Sequence, residues 1–218
     1  MRKSIVTYVT ALGLAATLFA QADKTLYEND FAKAQPGTVP EDFLVLDGQF
    51  SVTEEGGNKF LELPGAPLDT FGVLFGPTEK EGVAVSARIF GTGKGRRFPA
   101  FAVSLNGVSG YKLQISPAKK LVELYKGDAV KRSRSYEWES GKWTNLKLQV
   151  RKVKDGEWKV EGKAWQEGSG SGEPASWTIS FDEKEEPIGG RAAVWGNPFS
   201  GTRIRFDDLK VAPATAKP

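Results

Sequence analysis

The side chains able to do chemistry in this 218-residue chain are a restricted set. It has no histidine and no cysteine. That removes Ser-His-Asp and Cys-His nucleophile pairs, histidine-ligated zinc and any imidazole general base. Carboxylates, tyrosine, lysine, arginine, tryptophan and hard metal ions remain. Three groups of residues stand out. Asp207 and Asp208 interrupt the last apolar-alternating segment, and Asp30 or Glu28 comes near them if the terminal strands pair. Clustered carboxylates with backbone carbonyls suit a structural Ca²⁺; the other reading is a strand cap that meets arginine or backbone N–H groups. Trp195 sits in Val194-Trp195-Gly196-Asn197-Pro198, where a strand gives way to a loop. An indole beside the Asn197 amide can stack on a sugar ring while the amide bonds its hydroxyls; core packing is the alternative. Third, Ala84, Ser86, Arg88, Ala100, Ala102 and Ser104 occupy the non-core positions of two strands. Such small residues suit either a concave floor from which Arg88 reaches up, or a face covered by a loop. Loops near Tyr111 or Trp177 are the remaining candidates for a ligand face.

The elements that must position these residues are strands. Val83, Val85, Ala87 and Ile89 alternate with Ala84, Ser86 and Arg88. The same period of two runs through Phe101–Leu105, Tyr111–Ile115, Leu146–Val150 and Trp158–Val160. Each run is the pattern of a strand with one buried face. Turn signals separate them: Gly56-Gly57-Asn58, Asn106-Gly107, Lys126-Gly127-Asp128 and Asp155-Gly156. Asp155-Gly156 predicts a hairpin between 143–153 and 157–165. About a dozen such segments at 8–12-residue spacing point to a sandwich or barrel. In the last segment Ile204 and Phe206 share one parity while Leu209 and Val211 share the other. A β-bulge at Asp207-Asp208 would bring all four to one face.

Residues 1–22 read as a cleavable signal peptide. Met1-Arg2-Lys3 is a basic start, Ile5 to Phe19 is apolar and uncharged, and Ala20-Gln21-Ala22 is a small-x-small cleavage site. The apolar run, about 15 residues, is short of the ~20 that a spanning helix needs, so no membrane span is expected after cleavage. Losing Arg2 and Lys3 leaves 28 basic against 27 acidic residues. That balance gives no electrostatic case for nucleic acid. Export without cysteine favours a bacterial periplasm or exterior. Residues 23–211 are expected to form a single domain, and 212–218 a disordered tail.

The two ends carry a family resemblance. The chain opens with Leu26-Tyr27-Glu28-Asn29-Asp30-Phe31 and Gly48-Gln49-Phe50-Ser51-Val52. It closes with Gly189-Gly190-Arg191-Ala192-Ala193-Val194-Trp195 and Ile204-Arg205-Phe206-Asp207-Asp208-Leu209-Lys210-Val211. With Gly141-Lys142-Trp143, Trp165 and Glu173-Pro174-Ala175-Ser176-Trp177, this resembles the concanavalin A-like (laminin G-like) superfamily, near the exported bacterial 3-keto-disaccharide-hydrolase-like proteins. The resemblance implies an antiparallel two-sheet jelly-roll sandwich with paired terminal strands. It also implies a poly- or oligosaccharide ligand. The superfamily's glucanases carry Glu-x-Asp-x-Glu on one strand, so that nucleophile and acid share a face. No strand here has that pattern. Glu54-Glu55 and Asp182-Glu183-Lys184-Glu185-Glu186 read as solvated loops, and no catalytic residue is assigned. The leading expectation is an exported, non-catalytic glycan-binding domain. A hydrolase or lyase acting through tyrosine, arginine and carboxylates, and a structural or adhesive module, are the alternatives.

Cleavage is expected between Ala22 and Asp23. Mass spectrometry of the exported protein checks it, and intact residues 1–22 there would refute it.

Overall fold

The computed structural model describes residues 25–65, 69–168 and 172–215. The segment expected to be cleaved, residues 1–22, lies outside the described residues. Among the described residues the alternating segments become fifteen strands and one short 3-10 turn, Pro117–Lys119. No helix among them is long and apolar enough to cross a membrane.

The strands form two antiparallel sheets. The first contains β1 (Tyr27–Asn29), β3 (Ser51–Glu55), β4 (Asn58–Leu63), β6 (Val83–Gly91), β11 (Trp143–Lys154), β12 (Glu157–Gln166), β13 (Ile179–Glu183) and β15 (Ile204–Pro213). Its order is β13-β12-β11-β6-β15-β4-β3, with β1 also paired to β15. The second contains β2 (Leu44–Asp47), β5 (Phe71–Glu79), β7 (Ala100–Leu105), β8 (Tyr111–Ser116), β9 (Leu121–Lys126), β10 (Ala129–Ser135) and β14 (Gly190–Asn197). Its order is β10-β9-β8-β7-β14-β5-β2. Of the sandwich or barrel that the alternation allows, this is the two-sheet sandwich that the resemblance implies.

The inward set of each strand builds one core. Val83, Val85 and Ile89 of β6, Phe101 and Val103 of β7, and Leu146, Leu148 and Val150 of β11 are all essentially inaccessible. Turns follow their residues. Gly56 and Gly57 take φ of 63° and 82° between paired Glu55 and Asn58, a conformation open to glycine at little cost. The Asp155-Gly156 hairpin forms with Lys154 opposite Glu157. Asn106-Gly107 does more than turn the chain. Asn106, at φ 65°, is buried and its amide Nδ2 points at the carbonyls of Glu79, Lys80 and Ile188.

The bulge in β15 also forms. Asp207 pairs with Arg88 and Lys210 with Ser86, so β15 carries one extra residue there, and Asp208 takes φ 49°. Ile204, Phe206, Leu209 and Val211 are all buried as a result. The terminal strands pair, with Tyr27 opposite Val211. The tail differs from expectation. Ala212 and Pro213 pair with Ala84 and Val83, Ala214 N–H bonds Gly82 O at 2.8 Å, and Thr215 N–H bonds Gln149 Oε1 at 3.0 Å. The chain is therefore sheet-bound through Thr215, and only 216–218 lie outside the described residues.

Tyr111 is also corrected. It shares the inward parity of Leu113 and Ile115, is buried, and packs on Phe181. It is a core residue and has no part in a ligand face. Its hydroxyl donates to Glu183 Oε2 at 3.1 Å, and Lys126 Nζ lies 2.8 Å from the same oxygen. Burial raises the Glu183 carboxyl, but the bonds from Lys126, the Glu185 backbone N–H and Tyr111 outweigh it and hold the group below its ordinary value.

Two outcomes follow from this packing. Leu148→Ala should cost about 2–5 kcal/mol in chemical denaturation; a loss under ~1 kcal/mol would contradict its place in the core. Because Glu183 is depressed in the folded state, its contribution is fully present above the unfolded value and is lost as pH falls through the folded one. Glu183→Gln should therefore melt below the parent at neutral pH, with the gap closing on acidification below about pH 4. A gap that is constant with pH would show that the ionised form contributes nothing.

Candidate functional site

Each sheet has an outward face, and the candidate residues divide between them. β6 and β7 lie in different sheets. Arg88 and the Ala84–Ser86 run therefore face out from one side of the sandwich, while Ala100, Ala102, Ser104, Trp195 and Asn197 face out from the other. Arg88 and Trp195 therefore line no common groove, because the core lies between the two sheets.

On the eight-stranded side, Ala84, Ser86 and Ala212 floor a cleft of about 410 Å³ walled by Asn145, Lys147, Trp165 and Lys210. Apart from Lys210, its charged side chains are engaged in ion pairs. Arg88 Nε donates to Glu167 Oε1 at 2.7 Å and Nη1 to Asp207 Oδ2 at 3.2 Å. Nη1 also lies 3.5 Å from Asp208, and the guanidinium stacks 4.2 Å over the Trp143 ring. Lys147 and Lys163 both pair with Glu173, at 2.9 and 2.8 Å. Arg88 is thus a structural tie across three strands rather than a group reaching for ligand.

The acidic set does not fit a cation. Asp207 is buried, and both its oxygens accept hydrogen bonds, Oδ1 from Asp208 N–H and Oδ2 from Asn58 and Arg88. Burial pushes its carboxyl up, against the opposing pull of Asn58. Asp30 Oδ1 accepts the Ala32 N–H at 3.0 Å. Asp30 and Asp208 do line one cleft, as the pairing of terminal strands implies. No group of three potential metal ligands of the His, Cys, Asp or Glu type occurs among the described residues.

The seven-stranded side differs in kind. Antiparallel pairing sets its outward side chains in two rows. One runs Asp47, Gly72, Trp195, Ala102, Gln114, Glu123, Ser133; the next runs Leu44, Leu74, Ala193, Ser104, Lys112, Tyr125, Val130. Trp195 is the one aromatic of its row, and its immediate neighbours across the strands, Gly72 and Ala102, are small. A Cβ added to Gly72 would lie 3.0 Å from its Cδ2 and closer still, almost equally, to Cε3 and Cζ3. That is a position above the ring face, not off its edge. The indole therefore lies flat on Gly72, and its Nε1–H donates to Ser104 Oγ at 2.7 Å on the far side of β14. One ring face is against backbone, the edge N–H is satisfied, and the half-buried ring is fixed. Asn197 sits beside it and donates to Thr70 Oγ1 at 3.2 Å.

Beyond Ala102 the row turns polar. Gln114 Nε2 donates to Ser116 Oγ at 2.9 Å, and Ser116 donates in turn to Glu123 Oε2 at 2.5 Å. Tyr125 O–H and Lys119 also donate to Glu123, at 3.0 and 3.1 Å. Burial raises the Glu123 carboxyl, but these three donors outweigh it and hold the group below its usual range. The same burial pushes Tyr125 up to about 12. Trp195 and Asn197 were visible as candidates from sequence. Gly72, Ser104's bond to the indole, and the Gln114–Glu123 network were not. A glycine inside an apolar strand was the one available signal, since it marks a close approach.

No protein-family model and no curated protein sequence matches the chain. Solved structures do. The metal-free carbohydrate recognition domain of Emp46p superposes with a TM-score of 0.59 at 10% identity, covering 89% of this chain and 100% of that one. The carbohydrate-binding module CBM66 from Bacillus subtilis gives 0.53 at 12% identity, over 78% and 95%. A glycosyl hydrolase family protein from Mycobacterium fortuitum gives 0.51 at 11% identity, over 86% and 99%. At these identities the likeness is one of fold, the two-sheet β-sandwich.

Proposed function

We propose that this is an exported glycan-binding domain, working in the periplasm or outside the cell, whose ligand lies across the outer face of the seven-stranded sheet. The observation that carries the reading is Trp195 laid flat on Gly72 and locked by Ser104. A pyranose offers an apolar C–H face and a rim of hydroxyls. A fixed aromatic plane with amides and hydroxyls beside it meets both at once, and little side-chain freedom is lost on binding. Ala102 and Ala193 are fully buried beneath this surface, and Trp195, Asn197, Ala100 and Gln114 are its partly exposed members. Asn197 and Gln114 stand on either side of the platform to bond its hydroxyls. Two of the similar structures are themselves carbohydrate-recognition domains, which supports this reading.

The domain is proposed as non-catalytic. Glycoside hydrolysis uses two carboxylates, one of which must hold a proton to deliver to the leaving-group oxygen. Glu123, the carboxylate in the platform's row on the β9 side, is engaged by three donors and held ionised. It serves as an acceptor and not as an acid.

A glycan array should return at least one saccharide, and retention of none would overturn the proposal. On that saccharide Trp195→Ala should weaken binding at least about tenfold, since a buried aromatic anchor carries a large share of interface energy. Gly72→Val should do the same by lifting the ring, while leaving Trp195 in place. Normal binding by both variants would move the ligand face elsewhere.

A further inference from the structure

Residues 111–135, which make β8, β9 and β10, hold seven lysines and arginines against two acids, Glu123 and Asp128. That is a local charge of +5 in a chain whose total is +3. The rest of the chain is therefore net acidic, and the positive charge gathers at one end of the sheet that carries Trp195.

Three of the seven are neutralised. Lys119 is held by Glu123, Lys120 by Glu137, and Lys126 by Glu183 and Glu185. Lys112, Lys131, Arg132 and Arg134 have no ion-pair partner among the described residues. The last three lie on β10, whose seven residues are all exposed. Cations there, with a bulge after Val130, also keep an edge strand from pairing with another chain. That explanation does not reach Lys112. It sits on β8, inside the sheet, opposite Ser104 on one side and Tyr125 on the other. Its ammonium lies 4.8 Å over the Tyr125 ring. Burial pushes its pKa down, more than the distant Asp128 and Glu123 pull it up. A half-buried ammonium without a counter-ion is a cost to the folded chain that an anion from outside would offset. Ser104, which Lys112 faces, is the residue that fixes the Trp195 indole. One strand, β7, lies between Lys112 on β8 and Trp195 on β14, two strand spacings or about 10 Å across the sheet, which a di- or trisaccharide spans.

We infer that the glycan taken by the Trp195 platform is acidic. A polysaccharide bearing carboxylate or sulfate groups lies across β14, β7 and β8 towards β10, and Lys112 meets its first anionic group. This rests on the glycan-binding reading and adds the charge of the ligand to it. Arg132 and Arg134 pair with the core-facing Leu124 and Val122 and so take the opposite parity from Trp195, at the exposed edge of the sheet. With Lys131 they act on the chain only as a field at longer range, where salt screens most. A glycan fits this face better than nucleic acid does, because the two outward rows carry a single cation, Lys112, and set it on the same face as the fixed indole of Trp195.

Affinity electrophoresis of the mature protein tests it with four polymers: polygalacturonate, its fully methyl-esterified form, dextran sulfate and unmodified dextran. The first and third separate carboxylate from sulfate; the second and fourth remove the charge and keep the backbone. Retardation is expected with at least one acidic polymer and not with its neutral counterpart. It should weaken at least about tenfold in Lys112→Gln and in Trp195→Ala, and fall as salt rises from about 50 to 300 mM. Lys131→Ser with Arg134→Ser should flatten the salt dependence and leave the dependence on Trp195 intact. A thermal melt confirms that each variant is folded. Equal retardation by a neutral polymer that still needs Trp195 would overturn the acidic ligand and keep the glycan reading. Retardation by none of the four, with an empty glycan array, would overturn both. No retardation by either acidic polymer, with neutral saccharides retained on the array, would overturn this inference alone. Equal retardation by duplex DNA that is unaffected by Trp195→Ala would reduce the patch to nonspecific charge and overturn it too.

Discussion

The sandwich depends on a single irregularity in its last strand. Ile204 and Phe206 cannot share a face with Leu209 and Val211 in a regular strand, because successive side chains alternate. The extra residue at Asp207-Asp208 puts all four into the core. Through that bulge β15 runs between β6 on one side and β4, then β1, on the other. Arg88 secures it from β6, bonding Asp207 and stacking on Trp143, while Asn58 holds Asp207 from the β3–β4 hairpin. A buried pair of this kind adds little net stability. Removing one partner is costly, about 3–5 kcal/mol, since it strands the other charge. Arg88 and Asp207 are therefore best understood together, as the clasp of the eight-stranded sheet.

Much of this was legible in the chain. The parity break in 204–211 implied the bulge, Asp155-Gly156 implied its hairpin, and the matched ends implied paired terminal strands. Tyr111 belongs in the same group, since it alternates with Leu113 and Ile115, and the pattern already placed it inward. What alternation cannot encode is which sheet a strand joins. β6 and β7 both pair one apolar face with one face of small residues, and both are consecutive in sequence. The segment between them, Thr92–Pro99, crosses from one sheet to the other, and that crossing sends Arg88 and Trp195 to opposite sides. Glu123 was illegible for a different reason. A glutamate alternating with Val122 and Leu124 looks solvated, and only the donors gathered by β8 and β9 make it a buried acceptor.

The platform face has two unlike halves. Around Trp195 it is neutral, flat and floored by residues with almost no side chain. From Gln114 onward it is polar, carrying Lys112 and the Glu123 network, with the basic edge strand β10 beyond. The first half gives shape and stacking, with the indole already held by backbone and a hydroxyl. The second gives a field and hydrogen-bond partners whose own needs are met within the sheet. Rigidity on one side and charge on the other let one surface favour both a ring and the groups attached to it.

The N–H of Leu26 bonds the carbonyl of Val211 at 2.9 Å, so both ends of the domain leave from the eight-stranded sheet. Trp195 looks out from the other. Whatever is joined to either end, whether a linker, a tag or a solid support, emerges on the side away from Trp195. The domain can thus be immobilised or fused through its termini with that face turned outward, an orientation built into the path of the backbone.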